Sequence, residues 1–469
     1  MLFSSITFLY CFLPCVLLMY FVVPDRMKNT VLLLASLFFY GWGEPKYLVF
    51  MLAAVTQSYV AALLVERFRG TKIAKLALAV SAVASLGLLA YCKYADFFIG
   101  NFNAVTGLSI PLLKVALPVG ISFYTFQILS YVIDVYRGDV PAQRNFIDLA
   151  MYVAMFPQLI AGPIVRYSDI AGSLKNRKTT LADASEGITR FSIGLAKKIL
   201  LANSAALLVS EFKAYGEKTV LFYWLYAAAY MLHIYFDFSG YSDMAIGLGR
   251  IFGFRFSENF NYPYVSASIT EFWRRWHISL SSWLRDYLYI SLGGNRKGKI
   301  RQYANLIITM FLGGLWHGAS WNFVFWGMLH GVALAAHKFW MGITGRKKGE
   351  RSHGIRRFFG IVITFHFVCF CWIFFRNADF STSLDMLNQI FTAFRPRLFT
   401  QLVEGYWEVF ALMSLGFFLH FVPDSWEHAC CKAVIRLPLI GKALLLVAMI
   451  YLVIQMKSSE IQPFIYFQF

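Results

Sequence analysis

The chain has 469 residues, 58% hydrophobic and only 14% charged, where an ordinary soluble domain carries about a quarter charged residues; that balance argues against a water-soluble fold and for lipid as the solvent. A formal net charge of +18 raises nucleic acid as a partner. The cations, however, sit in short loops between apolar runs, the positive-inside pattern of membrane proteins, where a polyanionic cytosolic substrate would also be attracted.

Apolar stretches open the chain near 5–23, 30–43, 45–65, 74–94 and 112–135, close to the roughly 20 residues that cross a bilayer as helix. The first, Leu2 to Val23, lacks the basic start and small-residue cleavage site of a signal peptide and reads as a retained helix. Further stretches follow near 146–164, 187–208, 219–238, 303–318, 321–341, 357–376, 406–422 and 436–455. Together they predict roughly 11–13 spans, the shorter ones re-entrant or tilted. Barrel strands would alternate polar and apolar residues over about ten positions, whereas these runs are continuous. The expected fold is therefore an all-α polytopic transmembrane bundle with re-entrant or interfacial helices.

The basic clusters Arg67 to Lys75, Lys175 to Lys178, Arg274 to Arg301 and Arg346 to Arg357 are expected on the cytoplasmic side. No linker, repeat or low-complexity tract is evident, so residues 1–455 read as one membrane domain and 456–469 as a C-terminal tail. The seven cysteines, Cys11, Cys15, Cys92, Cys369, Cys371, Cys430 and Cys431, show no zinc-type spacing and read mostly as packing residues.

From about Tyr235 to His330 the density of Asp, Arg, His, Asn and Ser exceeds what lipid-facing helices tolerate, so this segment must line a polar interior. Asp237 and Asp243 need partners there. Arg274, Arg275 and Arg285 are candidates, which makes an ion-pair network that fixes the fold at least as good a reading as catalysis. Residues 267–299 are amphipathic, basic and rich in tryptophan, like a helix lying in the interface. Within them His277 follows Trp273-Arg274-Arg275-Trp276. The arginines suit either phosphate recognition or contact with anionic lipid.

His317 stands in Gly313-Gly314-Leu315-Trp316-His317-Gly318-Ala319, an ionisable group inside an apolar run. It reads either as a general base, which a neutral imidazole supplies near pH 7, or as a core histidine with both nitrogens bonded. An unbroken helix would place it about 25 Å from the basic end of its run, and the two glycines make a break there plausible. The nine histidines form no i, i+3 or i, i+4 pair, and His330 and His337 lie seven apart, so a metal centre of the desaturase kind is not expected. A transporter with a polar midplane remains the non-enzymatic alternative.

YFDFSGYSDMAIGLG at 235–249, EFWRRWHISLSSWLRDYLYISLGGNR at 271–296 and GGLWHGASWNF at 313–323 resemble the membrane-bound O-acyltransferase family, above all its alginate O-acetyltransferase branch. LPVGISFYTFQILSYVIDVYRGD at 117–139 and FPQLIAGPIVRY at 156–167 extend the resemblance. It implies a tunnel with acetyl-CoA entering from the cytoplasm and an acceptor arriving from the other side of the cell membrane. His317 matches the catalytic histidine and His277 the second polar position. Arg274, Arg275, Trp276, Arg285, Asp237, Asp243, Trp316 and Asn322 are candidates for binding substrate or lining the tunnel. Acetyl-CoA is the implied donor, with no further cofactor and no metal. An extracytoplasmic SGNH or esterase-like acetyltransferase and an exported polysaccharide are the implied partners, with lipid or protein as alternative acceptors. The tail Pro463-Phe464-Ile465-Tyr466-Phe467-Gln468-Phe469 is similar to the FxYxxF ending of the small acyl-relay peptide of D-alanylation systems. Tyr466 is thus a candidate acyl carrier or, equally, an interfacial aromatic anchor.

Overall fold

Backbone polar groups in hydrocarbon must be satisfied within the segment, and uninterrupted apolar runs achieve this as helix. The computed structural model describes residues 1–469 except 44, 215–219, 347–348, 351, 378, 393–396, 457–463 and 465–469, and among the described residues it holds helices and no strand. In chain order they are α1 (Leu13–Val22), α2 (Lys28–Gly41), α3 (Leu48–Arg67), α4 (Lys72–Leu89), α5 (Ala95–Thr106), α6 (Ile121–Arg137), α7 (Phe146–Ala154), α8 (Phe156–Leu159), α9 (Tyr167–Lys175), α10 (Leu181–Ala196) and α11 (Asn203–Ala214). The second half continues with α12 (Val220–Ile251), α13 (Ile269–Arg275), α14 (Ile278–Trp283), α15 (Lys299–His317), α16 (Trp321–Ile343), α17 (Gly354–Arg376), α18 (Phe380–Thr392), α19 (Arg397–Gly405), α20 (Trp407–Phe421), α21 (Asp424–Arg436) and α22 (Leu439–Met456).

Among the described residues, four helical stretches are long and apolar enough to cross a membrane: Pro45–Arg67, Lys72–Thr106, Leu181–Ser210 and Gly354–Arg376. Among the described residues the protein is an all-helical, polytopic membrane protein. Only 22% of the apolar stretch in Lys72–Thr106 is covered by the rest of the protein, against 61% in Leu181–Ser210. The first therefore presents Leu76, Val80 and Val83 to lipid, while the second is an interior helix.

Three expected elements differ. The run near 112–135 is helical only from Ile121, because Pro111, Pro118 and the left-handed Gly120 (φ 76°) keep the preceding chain irregular. The run near 146–164 breaks at Met155, ahead of Pro157 in the first turn of α8. Residues 267–299 form no single interfacial helix; α13 ends at a reversal, α14 follows, and Leu284–Tyr289 continues as π-helix.

The chain folds as two compact units, one of residues 1–191 and 242–257, the other of 192–241 and 258–469. The first is built on a cluster of Phe3, Phe8, Phe12, Phe39, Phe156 and Phe252. Arg177 ties its polar side together, donating from Nε to the Tyr20 hydroxyl at 2.9 Å and to the Phe252 carbonyl at 3.0 Å, with its guanidinium 4.5 Å over the Phe254 ring.

In the second unit α15 and α16 form a tight hairpin. The break anticipated at Gly313 and Gly314 does not occur, and α15 runs unbroken to His317. The glycines serve close approach instead: a Cβ on Gly314 would collide with the Phe323 carbonyl, one on Gly327 with the Met310 carbonyl, and one on Gly331 would lie 2.8 Å from the Ile307 Cα. Glycine costs a helix about 1 kcal/mol, which backbone-to-backbone packing of small residues offsets.

Gly327→Ala is accordingly expected to destabilise the protein by roughly 1–3 kcal/mol through overpacking. Gly100→Ala in α5, where an added Cβ meets nothing within 4 Å, should be neutral or stabilising by about 0.4–1 kcal/mol. Thermal unfolding in detergent reads both, and equal midpoints for the two variants would contradict the close-contact argument.

Candidate active site

His277 owes its position to a chain reversal. Asn261 N–H donates to the Arg275 carbonyl at 2.8 Å, and Ile278 N–H to the Asn259 carbonyl at 2.8 Å, clamping the loop before α13 against the turn into α14. The turn holds His277 at φ 43°, ψ 56°, a left-handed conformation that costs a non-glycine residue of order 1–3 kcal/mol. The imidazole is fully buried, with Nδ1 3.1 Å from Asn259 Oδ1. That oxygen also accepts from the Ser279 backbone N–H at 3.2 Å and the Ser279 hydroxyl at 2.8 Å, which fixes the orientation of the amide. An amide oxygen only accepts, so Nδ1 carries the proton and Nε2 the lone pair. Nε2 is buried with no hydrogen-bond partner among the described residues.

His317 ends α15. Gly318 follows in extended conformation and leaves room for the Phe323 ring, which a Cβ would strike. The His317 ring is 5% exposed and packs 5.0 Å from Trp316, 5.2 Å from Trp326 and 5.2 Å from Phe375. Trp316 is also 6.1 Å from the His277 ring, so both imidazoles meet one indole. Phe238 closes on His277 at 4.7 Å.

Several other histidines are fastenings. His330 Nδ1 accepts from Trp273 Nε1–H at 3.2 Å, His420 Nε2 accepts from the Tyr264 N–H at 3.1 Å, and His337 Nδ1 bonds the Thr270 hydroxyl at 2.8 Å. Among the described residues no group of three or more His, Cys, Asp or Glu is placed to hold a metal.

The expected pairing of the two aspartates with arginines of 274–285 is overturned. Asp237 pairs with Lys198 at 2.5 Å, both nearly fully buried, and Asp243, which belongs to the first unit, pairs there with Arg190 at 2.6 Å. Each aspartate takes the cation that α10 and the π-turn after it bring alongside α12. Arg275 is held by Glu271 at 3.1 Å and the Asn261 carbonyl at 3.1 Å, and Arg285 by its neighbour Asp286 at 2.6 Å. Arg274 and Arg285 are exposed. Trp276 is buried in a stack with Phe272 at 5.7 Å and lies 5.0 Å from Trp372. Asn322 donates from Nδ2 to the Asn377 carbonyl at 2.8 Å, tying the start of α16 to the end of α17.

Tyr466 lies outside the described residues. Phe464, two positions earlier, is buried, its ring 5.0 Å from Tyr241 and 5.8 Å from Phe238, and Phe238 in turn packs on His277. Sequence reasoning missed Asn259, Ser279, Phe238, Trp326 and Lys198. Asn259 is 18 positions from the histidine it orients, and no local spacing announces that contact.

Residues 140–378 match the model of the membrane-bound O-acyltransferase family. The chain is 46% identical over 397 residues to the probable alginate O-acetylase AlgI of Pseudomonas syringae pv. tomato, covering 84% of this chain and 75% of that one. It is 36% identical over 432 residues to the peptidoglycan O-acetyltransferase of Helicobacter pylori, 83% and 79% of the two chains. It is 30% identical over 273 residues to the teichoic acid D-alanyltransferase of Bacillus subtilis, 56% and 69% of the two.

The Lys198–Asp237 pair supports the helix that carries Phe238, and it sets a further expectation. Lys198→Met or Asp237→Leu alone strands a buried charge and should cost about 3–5 kcal/mol, whereas the double variant should recover most of that loss. Unfolding of all four proteins in detergent measures the coupling; strictly additive losses would show that the pair does not act as a unit.

Proposed function

The chain belongs to the membrane-bound O-acyltransferase family, and on that premise we propose that it passes acetyl from cytoplasmic acetyl-CoA across the cell membrane towards an exported polysaccharide, through an extracytoplasmic esterase-like partner. That it is an O-acyltransferase follows from the family and from relatives named for O-acetyl transfer. The observation carrying the rest is the pair of buried imidazoles against Trp316, in a chain similar to proteins whose names specify alginate and peptidoglycan O-acetylation.

In this reading His317 is the base. It takes the proton of an acceptor hydroxyl as that oxygen attacks the thioester carbonyl carbon; the carbon–sulfur bond then breaks and the thiolate leaves with the proton from His317. His277, its lone pair fixed on Nε2 by Asn259, accepts a hydrogen bond from the acceptor or the donor amide and orients it. The exposed cations Arg274 and Arg285 attract the donor's phosphates, for which guanidinium geometry is suited. Burial of Phe464 beside Phe238 favours the tail as an internal acceptor. Tyr466 then receives acetyl as a phenyl ester and yields it to the partner's nucleophile, dividing one transfer into two.

Purified protein incubated with radiolabelled acetyl-CoA tests this reading. His317→Ala is expected to lower CoA release by a factor of about 10²–10⁴, and base-labile label on the protein should vanish in both His317→Ala and Tyr466→Phe. Label lost only in His317→Ala would keep the enzyme and remove the tyrosine step. A wild type that releases no CoA with its partner supplied would reject the acetyl-CoA reading and bring transport forward.

Asn259→Leu keeps the branched shape and removes the acceptor, forfeiting about 1–3 kcal/mol of orientation, or roughly 5- to 150-fold in rate. Asn259→Asp keeps an acceptor in place and should retain most activity. Equal losses in the two variants would show that the site needs the amide for something other than orienting His277.

A further inference from the structure

We infer that Trp326 is a catalytic residue, donating its indole N–H to the oxyanion that forms on the acyl carbonyl. The inference rests on the acyltransferase reading above and names a group that neither the sequence motifs nor the family resemblance singled out. Trp326 lies on the second turn of α16 and is 1% exposed. Its ring stands edge-on to His317, 5.2 Å away at 86°, and is boxed in by His330 at 4.7 Å, Phe375 at 5.2 Å and Trp372 at 5.9 Å.

Its Nε1 is fully buried and has no hydrogen-bond partner among the described residues. Buried indoles ordinarily find an acceptor, because an unsatisfied donor costs about as much as a lost hydrogen bond. The neighbouring Trp273 obeys the rule, giving its N–H to His330 Nδ1 at 3.2 Å. That bond occupies the nitrogen by which His330, the ring nearest to Trp326, would otherwise have served it. Asn322, one turn earlier on α16, donates its amide N–H to the Asn377 carbonyl at 2.8 Å, and its Oδ1 accepts no hydrogen bond from the indole. The donor beside His317 is thus held in place by packing on every side and left uncommitted.

Acyl transfer supplies the missing acceptor. When the acceptor oxygen bonds to the thioester carbon, the carbonyl π electrons move onto oxygen and His317 holds the hydroxyl proton. When the carbonyl re-forms, the carbon–sulfur bond breaks and the proton passes to the thiolate. Negative charge sits on the carbonyl oxygen only between those events, so a rigid, dehydrated N–H that meets it there stabilises the transition state more than the ground state.

The test uses the purified full-length protein with acetyl-CoA and follows CoA release. Trp326→Phe and the replacement of Trp326 by 3-benzothienylalanine, which keeps the bicyclic shape and substitutes sulfur for N–H, should both lower kcat about 10²–10³-fold. The KM for acetyl-CoA should stay within about threefold of wild type. If Trp326→Phe fails to fold, the benzothienyl variant alone decides. A kcat within about threefold of wild type in that variant, or a loss carried by KM, would overturn the oxyanion role while leaving the acyltransferase reading intact. A wild type that releases no CoA would overturn both.

Discussion

Lipid offers no hydrogen bonds, so every polar group carried into the bilayer must find its partner within the protein or be kept for a ligand. That constraint sorts the polar residues of the second unit. Lys198 and Asp237 neutralise each other, and Tyr264 holds His420. Trp273 holds His330, and Thr270 holds His337. Among the buried polar atoms left without a partner in the described residues are the lone pair of His277 Nε2 and the N–H of Trp326. A lone-pair acceptor and a buried donor grouped about Trp316 and His317 are the complement of a reaction in which a hydroxyl loses a proton and a carbonyl gains charge.

The two histidines are positioned by opposite means. His317 rests on regular structure, at the end of a 19-residue helix packed by glycine against its neighbour. His277 rests on an irregular reversal held in a left-handed conformation by backbone hydrogen bonds from residues 259–261. Strain of that size persists where the surroundings over-determine it, and here the surroundings are Asn259, Ser279 and the rings of Phe238 and Phe260.

Composition and apolar periodicity were enough to read helices and lipid, because both follow from single-residue transfer energies. His317 stood out for the same reason, since an ionisable group in an apolar run is costly, whereas His277 was marked only by its place after Trp273-Arg274-Arg275-Trp276 and by the family resemblance. The partners were not legible. Arg274, Arg275 and Arg285 were the candidate partners for Asp237 and Asp243, yet these are paired with Lys198 and Arg190, because helix packing decides which cation arrives and sequence separation says nothing about it. Gly313 and Gly314 were legible as special, but their local propensity suggests a break where tertiary packing uses them as a contact surface.

That contact surface links stability to chemistry. Gly327, which lets α16 approach α15, is the residue after Trp326, and Gly314, against which it packs, lies three positions before His317. One backbone approach therefore sets both the tightness of the hairpin and the 5.2 Å spacing between the imidazole and the indole. A side chain added at either glycine must push the helices apart and draw His317 away from Trp326 together. A donor aimed at a developing charge loses its effect over fractions of an ångström, so acyl transfer should fail before the fold does.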